Sequence, residues 1–238
     1  EHFDVWLRLL ETRMVTGSID EDEDPLDLNA RVFFAEFGEE PQEPFLADEP
    51  GFQLENGSVT PFRPFRVDIV DAVLAWDGSG FSTTDVTMTL EFGPQSVTSG
   101  GGYVQGFEFT ADQLGGFHDH FEIIVNGASG DPEDGIYLLP LRLADPLGER
   151  EATPDFWFVM NLNLDEEAHE AAIEWAEAEL AASCDADITG DGAVDASDLG
   201  AVLDAWGPCV DCAADVTNTD SVGVRDLLDV LDAWGACD

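Results

Sequence analysis

The chain contains no lysine, and its 8 basic side chains, all arginine, stand against 52 acidic ones, for a formal net charge of -44 over 238 residues. Such a surface repels phosphate backbones and anionic lipid headgroups rather than steering them in, which excludes nucleic acid and acidic membrane surfaces as partners. No stretch approaches the roughly 18 consecutive apolar residues that a membrane helix needs, so no membrane insertion is expected. Cysteine is missing until Cys184, and the four that occur (Cys184, Cys209, Cys212, Cys237) crowd into the last 55 residues. An even count confined to a small module points to disulfides formed in an oxidising compartment. The chain also opens on Glu1 without a methionine, as a mature chain does after loss of a signal peptide. Together these readings predict a secreted protein, extracellular or at the cell surface. Catalytic signatures are absent too: there is no nucleophile elbow, no phosphate-cradling glycine loop and no cysteine set beside a histidine, so no catalytic residue is assigned and the chain is not expected to be an enzyme.

What is present is acid and a normal share of core-forming residues. Hydrophobic residues make up 44% of the chain, enough for packed domains. The surplus carboxylates make cations the natural partners, and bound calcium or ambient salt should relieve the self-repulsion of the folded state. Residues 1–164 read as mainly β, a β-sandwich of jelly-roll or Ig-like kind, because short apolar/polar alternations are separated by Gly, Pro, Asp and Asn clusters. Val86, Met88, Leu90 and Phe92 alternate with Thr87, Thr89 and Glu91, and 3–10, 31–37, 103–110, 117–125, 136–144 and 156–162 are similar. A short helix is expected at 67–76 from the spacing of Val67, Val70 and Leu74, and loops at 17–30 and 38–50. Residues 165–183 should form a connecting helix, with Asp165 as N-cap and acids in the first turn.

Residues 184–238 carry an internal repeat of 28 residues. Asp187 falls on Asp215, Asp198 on Asp226, Leu199 on Leu227, Val202 on Val230, Leu203 on Leu231, and Asp-Ala-Trp-Gly at 204–207 on 232–235. Each copy begins with a candidate calcium loop and continues at helical spacing, with Gly207 or Gly235 past the end. A twelve-residue calcium loop needs oxygen donors at positions 1, 3, 5, 9 and 12, a carbonyl at 7 and glycine at 6. Asp187, Thr189, Asp191, Gly192, Ala193, Asp195 and Asp198 meet that pattern. The second loop offers Asp215, Thr217, Thr219, Asp220, Ser221, Gly223 and Asp226, with a hydroxyl where the first has a carboxylate, and should hold calcium weakly or not at all.

A duplicated loop and helix without an entering helix resembles type I dockerins. The flanking cysteines and Ala-Trp-Gly resemble the cysteine-bearing dockerin variants of secreted planctomycete proteins and their relatives. The resemblance implies an all-α, calcium-binding docking module whose partner is a cohesin-like β-sandwich surface, on another protein or on a neighbouring copy of the chain. Dockerins bring their ends together about a pseudo-twofold axis, which implies the pairing Cys184–Cys237 with Cys209–Cys212. The alternative, Cys184–Cys209 with Cys212–Cys237, would have to span a helix length, against the usual Cα separations of roughly 4.4–6.8 Å.

Four histidines occur, two of them in His118-Asp119-His120. Strand alternation puts His118, His120 and Glu122 on one face of 117–125, and His2 and Asp4 together on the first strand; if those strands meet, the five form a candidate zinc or copper set. His169, one helical turn before Ile173, reads as a packing residue. The stretches Arg31-Val-Phe-Phe-Ala-Glu-Phe-Gly, Asp48-Glu-Pro-Gly-Phe, Trp76-Asp-Gly-Ser-Gly-Phe, Gly116-Phe-His-Asp-His and His169-Glu-Ala-Ala-Ile-Glu-Trp resemble a family of exported bacterial proteins, the zinc-uptake-regulator-repressed proteins that end in a sorting tag. That resemblance implies a metal role; here the dockerin-like tail stands where the tag would be. The first expectation is therefore a calcium-stabilised structural or adhesion protein that attaches, or assembles head to tail into filaments, through its tail. The second is an extracellular zinc- or copper-binding protein displayed on a cohesin scaffold, and the third a glycan-acting enzyme.

Overall fold

The computed structural model describes residues 3–9, 13–20, 25–27, 29–39, 41–180, 186–189, 193–209, 212–217, 219 and 221–236. The chain divides into two compact units, Glu1–Ala181 and Ala182–Asp238. In order, the first contains β1 (Phe3–Leu9), β2 (Met14–Asp20), β3 (Pro25–Asp27), β4 (Val32–Glu36), β5 (Leu46–Ala47), β6 (Phe52–Leu54), β7 (Pro64–Ile69), β8 (Leu74–Trp76), β9 (Phe81–Thr83) and β10 (Thr87–Phe92). It continues through β11 (Gln95–Thr98), β12 (Glu108–Thr110), β13 (Phe117–Asp119), β14 (Glu122–Asn126), β15 (Gly135–Ala144), β16 (Phe156–Leu162) and α1 (Glu166–Glu179). The fold is mainly β, as the alternation predicts.

The strands form three sheets: β13-β6-β1-β2-β3, β11-β10-β14-β5, and β12-β7-β15-β16-β4 with β8 and β9 attached through β15. All three contribute to one core, in which Phe33, Phe52, Phe65, Phe121, Phe156 and Phe158 are fully buried. The sequential neighbours β1 and β2 pair along their whole length, whereas β1 also lies parallel to β6, a non-local contact that places Asp4 beside the start of β6. Phe52 stacks on Phe121 with ring centroids 4.7 Å apart, a contact that anchors the residue after Gly51 to the residue after His120.

Several expectations are corrected. Residues 67–76 are not helical; they divide between β7 and β8, because Phe65, Val67 and Ile69 bury on a period of two and β-branched residues pack well on a pleated surface. The stretch 17–30 is not one loop. Small residues at Thr16, Gly17 and Ser18 let β2 bury and pair through Asp20, and β3 continues the sheet. Residues 103–110 form a strand only from Glu108 onward, with Val104 making an isolated bridge to Ile69. The expected strand 117–125 breaks after Asp119 into β13 and β14, which belong to different sheets.

Helix α1 starts at the N-cap Asp165, whose side chain accepts the Ala168 amide. It packs its His169, Ala172 and Ala176 face on the first unit, against Val32, Ile136, Leu138 and Val159 for the alanines, so it belongs to that unit rather than standing free as a connector. In the helix, i, i+3 and i+7 fall on one side, which is why small alanines there allow close approach to the sheet.

The second unit comprises β17 (Ala193–Val194), α2 (Ala196–Asp204), β18 (Gly207–Pro208), β19 (Ser221–Val222), α3 (Val224–Asp232) and β20 (Gly235–Ala236). It is not all-α. Two residues past each helix C-cap, Ala205 or Ala233, stands a positive-φ glycine, Gly207 or Gly235, the first residue of a two-residue strand. That strand pairs with the loop of the opposite repeat, β18 with β19 and β17 with β20. The two ladders are equivalent under the 28-residue shift, and so is the core. Its buried residues Ala186, Val194 and Val202 are matched by Ala214, Val222 and Val230. Among the described residues no helix is long and apolar enough to cross a membrane.

Candidate metal centre and the paired loops of the tail

Asp4, His118 and His120 come together, each offering one ligand atom, with all three atoms within 4.8 Å of one another. The sheet explains how. β6 lies between β1 and β13, so Asp4 and the histidines approach from strands about 10 Å apart. Val5 pairs with Phe52 and Asp119 pairs with Phe52, which puts Gly51 in the row between Asp4 and His120. The missing side chain at Gly51 allows the close approach of Asp4 and His120: a Cβ there would lie 2.7 Å from Asp4 Oδ1 and 2.9 Å from His120 Nε2. The Asp4 carboxylate is mostly buried. Its Oδ1 accepts the Gly51 amide at 2.8 Å, and its Oδ2 lies 2.8 Å from His118 Nε2. His118 Nε2 and His120 Nε2 are 3.2 Å apart, and the two rings stack with centroids 5.2 Å apart. On its other side His120 Nδ1 lies 2.9 Å from the Asp48 carbonyl and 3.4 Å from Glu49 Oε1.

Of the five residues read from the sequence, the structure unites three. Glu122 leaves because the strand breaks after Asp119; it sits in β14 opposite Glu91, in another sheet. His2 lies outside the described residues. His169 is buried against the sheet, its Nε2 3.1 Å from the Val159 carbonyl and its ring edge-on to Phe34. Asp48 and Gly51 were invisible as site residues, since Pro41, Pro44 and Pro50 made 38–50 read as a loop and Gly51 follows it directly.

The side chain of His118 is half exposed and also lines a cleft of about 740 Å³ with Asp119, Asp112, Glu55, Gln53 and Asn56. Burial pushes the Asp119 carboxyl above its ordinary value; His118 and His120 pull it back, and Asp112 adds to the rise. Two imidazoles and one carboxylate make a donor set that could hold a metal ion.

In the tail, the two loops share one scaffold. Asp198 Oδ1 accepts the Thr189 amide at 2.9 Å and Oδ2 the Asp195 amide at 2.8 Å. Asp226 repeats this with the Thr217 and Gly223 amides at 3.0 and 2.7 Å. Both carboxylates are buried, which pushes their pKa up, but the backbone N–H groups outweigh burial and hold them below the ordinary range. Asp195 caps α2 by accepting the Ser197 amide. In the second loop Thr217 Oγ1 donates to Asp226 Oδ1 at 2.8 Å and Thr219 Oγ1 to the Ser221 carbonyl at 3.2 Å. The Thr219 amide also donates to Asp215 Oδ1 at 3.0 Å. In the first loop Thr189 Oγ1 lies 3.4 Å from Asp187 Oδ1, while Asp191 and Gly192 fall outside the described residues. Ala193, the expected carbonyl donor, is in β17.

A disulfide joins Cys209 to Cys212, which excludes the clasp within each repeat. The expected Cys184–Cys237 bond falls outside the described residues. The chain matches no protein-family model and no curated protein.

Proposed function

We propose that the protein binds a transition metal, zinc or copper, at Asp4, His118 and His120, and is held at an extracellular site by a calcium-dependent, dockerin-like tail. The convergence of three ligand atoms from two strands over a glycine carries this reading. It supports the metal-binding reading over the purely structural one. Structural zinc sites are closed by four protein ligands, whereas three leave a position open for water or an exchanging ligand. A half-exposed centre of three ligands suits an ion that is taken up and given away, and a β-sandwich-like body offers it a rigid frame.

A second reading, attachment or subunit assembly through the tail, is favoured by exposed apolar residues that obey the repeat: Leu203 with Leu231, and Trp206 with Trp234. These side chains are suited to a β-sandwich surface of a cohesin kind, on another protein or on a neighbouring copy.

Isothermal titration of the calcium-loaded protein with zinc, and separately with copper, tests the first reading. One site per chain is expected; His118→Ala and His120→Ala should each weaken it by more than about tenfold, and His169→Ala should leave it unchanged. Absence of any stoichiometric transition-metal site in the unmodified protein would refute the reading.

A further inference from the structure

Building on that metal centre, we propose that the segment Asp48–Gly51 is its positioning element, fixing the ligand atoms of His120 and Asp4 through backbone groups and allowing their close approach with a glycine. A carbonyl can only accept, so the Asp48 carbonyl, 2.9 Å from His120 Nδ1, accepts a hydrogen bond from Nδ1–H, keeps the proton on that nitrogen and leaves His120 Nε2 with its lone pair towards the centre. The carbonyl is closer than Glu49 Oε1 at 3.4 Å, so the tautomer depends on the backbone rather than on a titrating group.

At the other end of the segment the Gly51 amide donates to Asp4 Oδ1, which occupies one carboxylate oxygen and leaves Oδ2 for the centre. The Gly51 carbonyl in turn accepts the Val5 amide at 2.9 Å, which locks the segment to the strand that carries Asp4. Phe52, next in the chain, stacks on Phe121, next after His120, so the spacing between segment and histidine is set by the core. Gly51 is required by close approach rather than by backbone conformation: any Cβ would press on Asp4 Oδ1 and the His120 ring together.

The test pairs a variant with a spectroscopic signature. Gly51→Ala should weaken zinc binding about 10- to 100-fold, whereas Gly101→Ala, the same change where a Cβ meets nothing, should leave it unchanged. In the metal-free unmodified protein at pH 8, long-range proton–nitrogen NMR should show His120 as the Nδ1–H tautomer. Failure of the unmodified protein to bind zinc would sink the metal reading itself. Zinc binding by folded Gly51→Ala within about twofold of the unmodified protein, or an Nε2–H tautomer at His120, would instead overturn the positioning role alone. Should Gly51→Ala fail to fold, the tautomer decides.

Discussion

Asp145 shows how few arginines suffice when they are well placed. Its side chain is almost fully buried, accepts the Leu147, Glu149 and Arg150 amides, and meets Arg63 at 2.6 Å. Burial raises its pKa, but the Leu147 amide, Arg63 and the Arg150 amide together hold the carboxyl below its ordinary value. Its stabilising effect is therefore complete above the ordinary aspartate range and is lost as pH falls through the depressed folded value. Asp145→Ala should cost on the order of 3 kcal/mol at pH 7, because the buried Arg63 loses its buried carboxylate and keeps only the exposed Glu149. The gap in melting temperature between variant and unmodified protein should narrow steadily in acid; a gap independent of pH would contradict the ionic account. At this scale the candidate metal ligands were half legible. Two histidines two apart on a strand announce themselves through alternation, but Asp4 joins them only because β1 lies parallel to β6, a pairing between distant segments that no local pattern encodes.

Among the elements, a period-two segment such as β10 was readable because burial on one face dictates register. The misread ones share a cause. In 67–76 the apolar residues are dense enough to fit either period, and tertiary pairing of β7 with β15 settles it. The break between β13 and β14 is likewise set by the sheets on either side, and it decides that Glu122 is no ligand. In the tail the repeat was legible, but the ladders were not, since two-residue strands carry no alternation. The ladders tie each loop to the end of the other helix, so the two repeats should melt as one unit. Chelating calcium should lower the melting temperature of the tail, and Asp191→Ala should lower it more than Thr219→Ala. The first loop carries the carboxylate of Asp191 where the second has the hydroxyl of Thr219, so it gathers more negative charge and gains more from a cation. Equal effects of the two substitutions, or none from chelation, would contradict this asymmetry.

For the whole molecule, the charge of -44 governs association. Copies repel one another until cations screen them, so if the tail docks on a neighbouring copy, light scattering should report growth with calcium and its reversal by chelator. A strictly monomeric particle at high concentration with calcium present would leave a separate partner as the target of the tail. The same charge makes loosely held cations abundant, so bulk metal content alone says little, and the decisive property is the ligand shell. X-ray absorption on protein loaded with one equivalent of zinc, after removal of loosely bound ions, reads that shell directly. The account predicts two imidazole nitrogens and oxygen donors at about 2.0–2.2 Å; a shell of oxygen alone, with no imidazole, would contradict it.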